Sequence, residues 1–191
     1  MTGERARLFV ALVLPGAARE RLVSWRRQAV GGMFGLRLVA PDSLHVTLCF
    51  LDWLEAPSLE PVCAACERGL AAAGTRSPPL ATGAPVWLPR RRPAVLAVGL
   101  EDRTAGLVRI QGSLSAELSA GGWYRPDRRP FLPHVTVARV GRGSGVRAVE
   151  LPAPERLGFS GEQVVLYRST LLPAGARYEP LRAWPLPDPL P

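Results

Sequence analysis

Lysine is absent from this sequence. All 24 basic residues are therefore arginine, and against 16 acidic residues they leave a net charge of +8. A charge of that sign favours anions such as phosphates and nucleic acid, and the planar guanidinium fork suits phosphate oxygens. Composition alone does not locate a site, because an arginine bias also follows from genome base composition. Long apolar runs are missing too. The longest, Leu8 to Leu14, is too short to span a bilayer and lacks the small-residue cleavage pattern of a signal peptide, so a soluble cytoplasmic protein is expected. Cysteine is scarce: Cys49, Cys63 and Cys66 are an odd number without an export signal, which argues against a disulfide framework. Cys63 and Cys66 form a CxxC pattern with no second pair to complete a zinc set, and are expected to pack as small hydrophobes. Histidine is scarcer still, with only His45 and His134. Two histidines without a nearby carboxylate set make a poor metal site, so no metal and no cofactor are expected.

What remains is ample apolar material. Hydrophobic residues are 47% of the chain and charged residues 21%, enough to offset the entropy of ordering it. At 191 residues it fits one domain, or two small lobes sharing a core. Leu8 to Leu14 reads as a buried strand closed by Pro15 and Gly16. Over residues 17–30, Ala18, Leu22, Trp25 and Ala29 recur at helical spacing, with arginines and Glu20 on the other faces. A short extended piece near Leu36 to Val39 leads through a turn at Pro41 and Asp42 into a strand at Leu44 to Leu51. Ser58 is the expected N-cap of a helix over 59–73, with Val62, Cys66 and Leu70 on one side. The Pro, Gly and Arg-rich stretch from Thr75 to Pro93 is the expected lobe connection, with a short strand at Val86 to Leu88. A strand at Ala94 to Leu100, a helix marked by Leu107, Ile110, Leu114 and Leu118, and a strand at His134 to Val140 follow. Val164 to Leu171 and Tyr178 to Trp184 read as closing strands, and the final PLPDPLP as a loose tail. Strands and helices interleave in both halves, in the manner of an ancient duplication with one histidine strand in each.

Those two strands carry the chemistry. Leu44-His45-Val46-Thr47-Leu48 and Pro133-His134-Val135-Thr136-Val137 align without a gap. Residues two apart on a strand project to one face, so each segment offers an imidazole and a hydroxyl to one side and buries its aliphatic residues on the other. With seven threonines in the chain, both histidines would be followed by Thr at the second position by chance with a probability on the order of 0.001. A lone half-buried strand histidine is usually a hydrogen-bonded core residue. Two such tetrads that use every histidine favour function. Paired imidazoles near neutrality suit in-line displacement at phosphorus: one takes a proton from water and the other gives one to the leaving alkoxide, while the hydroxyls donate to the non-bridging oxygens.

On these residues the chain resembles the two-histidine (2H) phosphoesterase superfamily, and within it the RNA 2′,3′-cyclic phosphodiesterases, also called 2′-5′ RNA ligases. The likeness begins at Arg7-Leu8-Phe9-Val10-Ala11 before Leu14-Pro15 and runs through both tetrads with Phe50-Leu51, Phe131-Leu132 and Ala138-Arg139. It ends in Leu166-Tyr167-Arg168-Ser169, Gly175 and Tyr178. One departure is Asp52, where the family often has glycine after Phe-Leu. The resemblance implies an α+β fold: residues 1–191 as one bilobal, pseudo-twofold domain, with two mainly antiparallel sheets lining a central cleft and helices packed outside. It implies metal-independent opening of an RNA terminal 2′,3′-cyclic phosphate to a 2′-phosphate, with His45 as proton donor and His134 as proton acceptor. Thr47, Thr136 and Arg139 would bind the phosphate, although strict alternation points Arg139 away from the cleft. Phe9 is a candidate for base stacking and equally a candidate core residue. Partners would be RNA ends or small cyclic nucleotides, with no membrane, and a monomer is expected. Alternatives are a related enzyme acting on small cyclic nucleotides, 2′-5′ RNA joining, and a non-catalytic RNA-end-binding protein. Arg90, Arg91 and Arg92 are either guides for an RNA backbone or a solvated loop, and Gly141-Arg142-Gly143-Ser144-Gly145 reads as a flexible loop near the cleft.

Overall fold

The computed structural model describes residues 5–74, 76–172 and 175–187. Among them, nine strands and three helices run in the order β1 (Arg5–Val13), α1 (Gly16–Val30), β2 (Leu36–Leu38), β3 (His45–Glu55), α2 (Leu59–Ala73), β4 (Pro79–Leu88), β5 (Val95–Glu101), α3 (Gly106–Ala120), β6 (His134–Val140), β7 (Gly158–Ser160), β8 (Gln163–Leu172) and β9 (Gly175–Pro185). The class is α+β, as the sequence predicts. Every strand pairing is antiparallel.

The strand order is β7-β4-β5-β6-β3-β1-β8-β9, with β2 paired to the side of β6. A single residue pair, Val46 with Val135, joins β6 to β3. The two histidine strands therefore meet at one point and splay apart on either side of it. The order is also palindromic about this join: β3 corresponds to β6 and β1 to β5, and a helix follows each of the latter (α1 and α3). Each of these helices packs against the histidine strand of the other half, α1 on β6 and α3 on β3.

The core lies between the sheet and the helices. Val10, Leu12, Val46, Val135 and Val137 from the strands meet Leu22, Val62, Ile110 and Leu114 from the helices, all essentially without solvent exposure. Helices α2 and α3 approach closely at Gly69, where an added Cβ would lie 3.0 Å from the Leu114 Cα and the Ser113 carbonyl. Cys49, Cys63 and Cys66 are free and buried, so the CxxC packs as expected.

Several details differ from the sequence reading. Ser58 makes no side-chain capping bond; it closes a 3-10 turn at Ala56–Ser58 that leads straight into α2, so its backbone is already helical. The expected connection from Thr75 to Pro93 is mostly strand. β4 fills Pro79–Leu88 because Leu80, Ala81 and Trp87 find core partners that only the folded sheet supplies. Thr75 itself lies outside the described residues. On α1 the buried face includes Arg26, at 4% exposure, rather than leaving every arginine in solvent. Residues 188–191 of the expected loose tail lie outside the described residues. Just before them, Leu186 is buried and the Pro187 carbonyl accepts from the Ser77 amide at 2.8 Å.

Candidate active site

His45 opens β3 and His134 opens β6, and the Val46–Val135 pair fixes their relation. In that antiparallel register His45 stands opposite Thr136, and Thr47 opposite His134. Each imidazole is held by its own strand entry. His45 Nδ1 donates to the Ser43 carbonyl at 2.8 Å, and His134 Nδ1 to the Leu132 carbonyl at 2.7 Å. A carbonyl can only accept, so both rings carry a proton on Nδ1 and direct Nε2 away from the strand entry. The Thr47 hydroxyl lies 3.1 Å from His45 Nε2.

His45 is walled by aromatic rings. Phe9 lies 5.0 Å from it between centroids, Tyr178 meets it edge-on at 5.3 Å, and Tyr167 stacks on Phe9 at 5.2 Å. This apolar surround disfavours the charged imidazole and is the main cause of a His45 pKa pushed down to about 4. The bond to the Ser43 carbonyl opposes the shift, while the nearby charges of Arg139 and His134 add to it. His45 is neutral at pH 7 in the free site. Phe9 is only 3% exposed, and its ring backs His45.

A one-residue bulge settles the position of Arg139. Ala97 pairs with Thr136 but Leu96 pairs with Ala138, leaving Val137 as an extra residue in β6. Val137 and Ala138 are both buried, and Arg139 emerges on the same face as His134 and Thr136. Strict alternation fails here because a bulge shifts the phase of the pleat by one. β3 does the same thing: Val10 pairs with Cys49 and Ala11 with Thr47, so Leu48 is extra. Phe50 in β3 is thus the counterpart of Arg139 in β6, and is 40% exposed. The signal was present in the paired stretches His45 to Phe50 and His134 to Arg139, which match in length and in polarity up to their last residue.

A cavity of about 180 Å³ opens on His45 and Thr47, with Arg7, Arg37, Arg139 and Phe50 among its lining residues and no carboxylate. Arg37 escaped the sequence reading because β2 is only three residues long. It pairs directly across from Arg139 in the β2–β6 ladder. Like charges placed opposite each other on neighbouring strands repel, and both arginines line this cavity. Arg7 lies over the Phe50 ring, 4.5 Å from its centroid. On the other side, a cavity of about 780 Å³ is lined by Thr47, Phe50, Gln111, Tyr124, Phe131 and His134, among others. Thr47 and Phe50 border both spaces. Thr136 lines neither of them, and its hydroxyl has no hydrogen-bond partner among the described residues.

No family model matches the chain. It is 32% identical over 190 residues to the RNA 2′,3′-cyclic phosphodiesterase of Escherichia coli (strain K12), covering 96% of this chain and 98% of that one. Among solved structures it is similar to TT0787 of Thermus thermophilus, with a TM-score of 0.77 and 28% identity over 94% of this chain and 97% of that one. It is also similar to the E. coli LigT structure complexed with ATP, with a TM-score of 0.74 and 27% identity over 96% and 99%. Sequence and backbone thus agree over nearly the full length of each relative, and the chain belongs to the RNA 2′,3′-cyclic phosphodiesterase family of two-histidine phosphoesterases.

Proposed function

We propose that this chain, acting as one bilobal unit, hydrolyses a 2′,3′-cyclic phosphate at an RNA end to a 2′-phosphate. The observation that carries this reading is the matched pinning of two imidazoles by Nδ1, with His45 on a carboxylate-free arginine pocket and His134 on the neighbouring cavity that shares Thr47 and Phe50 with it. Water attacks phosphorus opposite the 3′ oxygen and gives a proton to His134 Nε2. The bond from phosphorus to the 3′ oxygen breaks, and that oxygen takes the proton held on His45 Nε2. The hydroxyls of Thr47 and Thr136 donate to the non-bridging oxygens as charge builds, and Arg139 with Arg37 neutralises it.

The depressed pKa of His45 fits its donor role in one way. A bound phosphate anion favours the charged imidazole, so substrate binding itself loads the proton. Phe50, at 40% exposure, offers more ring surface to a base than Phe9, and Arg7 lies over its ring. No step calls on a metal, because guanidinium groups meet the phosphate charge. The site draws on one chain alone, which suits a monomer, and three buried thiols suit a reducing cytoplasm.

The test is turnover of an RNA ending in 2′,3′-cyclic phosphate, with the product identified by phosphorus NMR. His45→Ala and His134→Ala are each expected to lower kcat by about 10² to 10⁴. Near-normal turnover by either variant overturns the acid and base pair, a 3′-phosphate product reverses the bond broken, and loss of activity in chelator defeats metal independence.

A further inference from the structure

Beyond the catalytic cavities, the loops around residues 91–94 and 140–147 close on a separate hollow of about 550 Å³. Arg91, Arg92, Arg142 and Arg147 line it, with Gly141, Gly143 and Gly145 and no acidic residue. The two loops are tied at their roots, where the Val140 amide donates to the Ala94 carbonyl at 2.8 Å, and the second is held to the segment before β2 by the Gly141 amide donating to the Gly35 carbonyl at 2.8 Å. Gly143 and Gly145 have φ of +71° and +69°, a left-handed backbone that lets the chain curl around the hollow without side-chain strain.

Charge pairing sets these arginines apart from many others. Arg21, Arg68, Arg103, Arg129, Arg156, Arg168 and Arg182 each have a carboxylate partner. Arg91, Arg92, Arg142 and Arg147 have none among the described residues. Gathering four unpaired cations around one hollow carries a repulsive cost that a polyanion removes. The hollow also adjoins the 780 Å³ cavity that reaches His134, since Ala94 lines both.

We propose that this hollow grips the phosphodiester backbone of the RNA upstream of the cyclic phosphate, so that the enzyme selects polynucleotide ends over mononucleotide cyclic phosphates. The inference rests on the reading of the active site given above and names its substrate class. β6 spans the distance from His134 to Val140, roughly 20 Å at about 3.3 Å per residue. A stacked strand rising about 3.4 Å per nucleotide reaches the hollow by about its sixth phosphate, and an extended one sooner. Single nucleotides and dinucleotides fall short.

The experiment compares kcat/KM for a mononucleoside 2′,3′-cyclic phosphate and for a single-stranded RNA of about eight nucleotides with the same terminal nucleotide. It uses the wild-type chain and the combined Arg91→Ser, Arg92→Ser, Arg142→Ser, Arg147→Ser variant. Wild type is expected to favour the RNA at least tenfold at low salt, with an advantage that shrinks as salt rises. In the variant the advantage collapses and its salt dependence flattens, by about 0.7 in log–log slope for each phosphate no longer neutralised. Turnover of the mononucleotide stays unchanged, which also shows that the variant is folded. An RNA advantage that survives the four substitutions, or a wild type with no RNA advantage, overturns the inference. Wild type inert on both substrates overturns the active-site reading instead.

Discussion

Arg26 of α1 donates from Nη1 to the carbonyl of Val137 at 3.0 Å. Val137 is the extra residue of the β6 bulge, and its carbonyl also accepts from the Val39 amide at 3.0 Å. The same Arg26 nitrogen donates to the Val39 carbonyl. A buried guanidinium from one half thus fastens the irregularity that turns Arg139 toward the His45 cavity in the other. The other half has a weaker echo: Gln111 of α3 reaches the carbonyl of Leu48, the extra residue of β3, at 3.5 Å.

Arg26→Met is expected to cost about 1 to 3 kcal/mol of stability, the range for losing hydrogen bonds from a charged group. It should also uncouple Arg139 from catalysis. In a double-mutant cycle on kcat/KM, Arg139→Ala should cost less in the Arg26→Met background than in wild type. Strict additivity would mean that Arg26 supports the fold alone.

The titration of His45 is measurable by NMR of its imidazole. Its midpoint should lie near 4 in the free protein and rise when inorganic phosphate binds. A midpoint unmoved by saturating phosphate would remove His45 from the donor role. The same shift has a stability consequence. The folded pKa lies below the unfolded value of about 6.5, so its contribution is present above pH 6.5 and is lost as pH falls toward 4. The loss is at most about 3 kcal/mol, and His45→Gln should abolish it.

Arg37 and Arg139 should show opposite signs in stability and function. Removing Arg37 relieves a cross-strand repulsion, so Arg37→Ala should leave stability unchanged or raise it by up to about 1 kcal/mol. KM for the cyclic phosphate should rise about tenfold or more, the scale of a lost charge-assisted hydrogen bond. An unchanged KM would place Arg37 outside the phosphate site.

Asp52 stands where the family often has glycine, and its φ is +59°. It follows Leu51, the extra residue of a second bulge between the β1 pairs with Phe50 and Asp52. A side chain in this left-handed conformation costs about 1 to 2 kcal/mol, with aspartate among the more tolerant residues. Asp52→Gly should therefore raise thermal stability modestly, whereas Asp52→Val should lower it. The reverse order in calorimetry would contradict the backbone conformation.

Much of this site is legible in the order of the amino acids alone. The tetrads beginning at His45 and His134 point to the strands of the candidate site because period-two alternation puts a histidine and a threonine on one face whatever the rest of the chain does. α2 and α3 are equally clear, since Val62, Cys66 and Leu70, and Leu107, Ile110, Leu114 and Leu118, repeat at helical spacing and are all buried. Strand β4 is not, because its proline and glycine content masks a strand whose burial depends on β5 and β7 as neighbours.

The sequence by itself determined the residue types and their local faces: two imidazoles, two hydroxyls, a wholly arginine positive charge, and strands and helices with one apolar side each. Tertiary structure decided everything that depends on partners distant along the chain. It set the Val46–Val135 join that brings the two motifs together, the bulges that rotate Arg139 and Phe50 into the cleft, and the pairing of Arg37 across from Arg139. It also made the aromatic wall that drives His45 neutral. Alternation is a property of one strand. Register, bulges and desolvation belong to pairs of elements, which no single stretch of sequence contains.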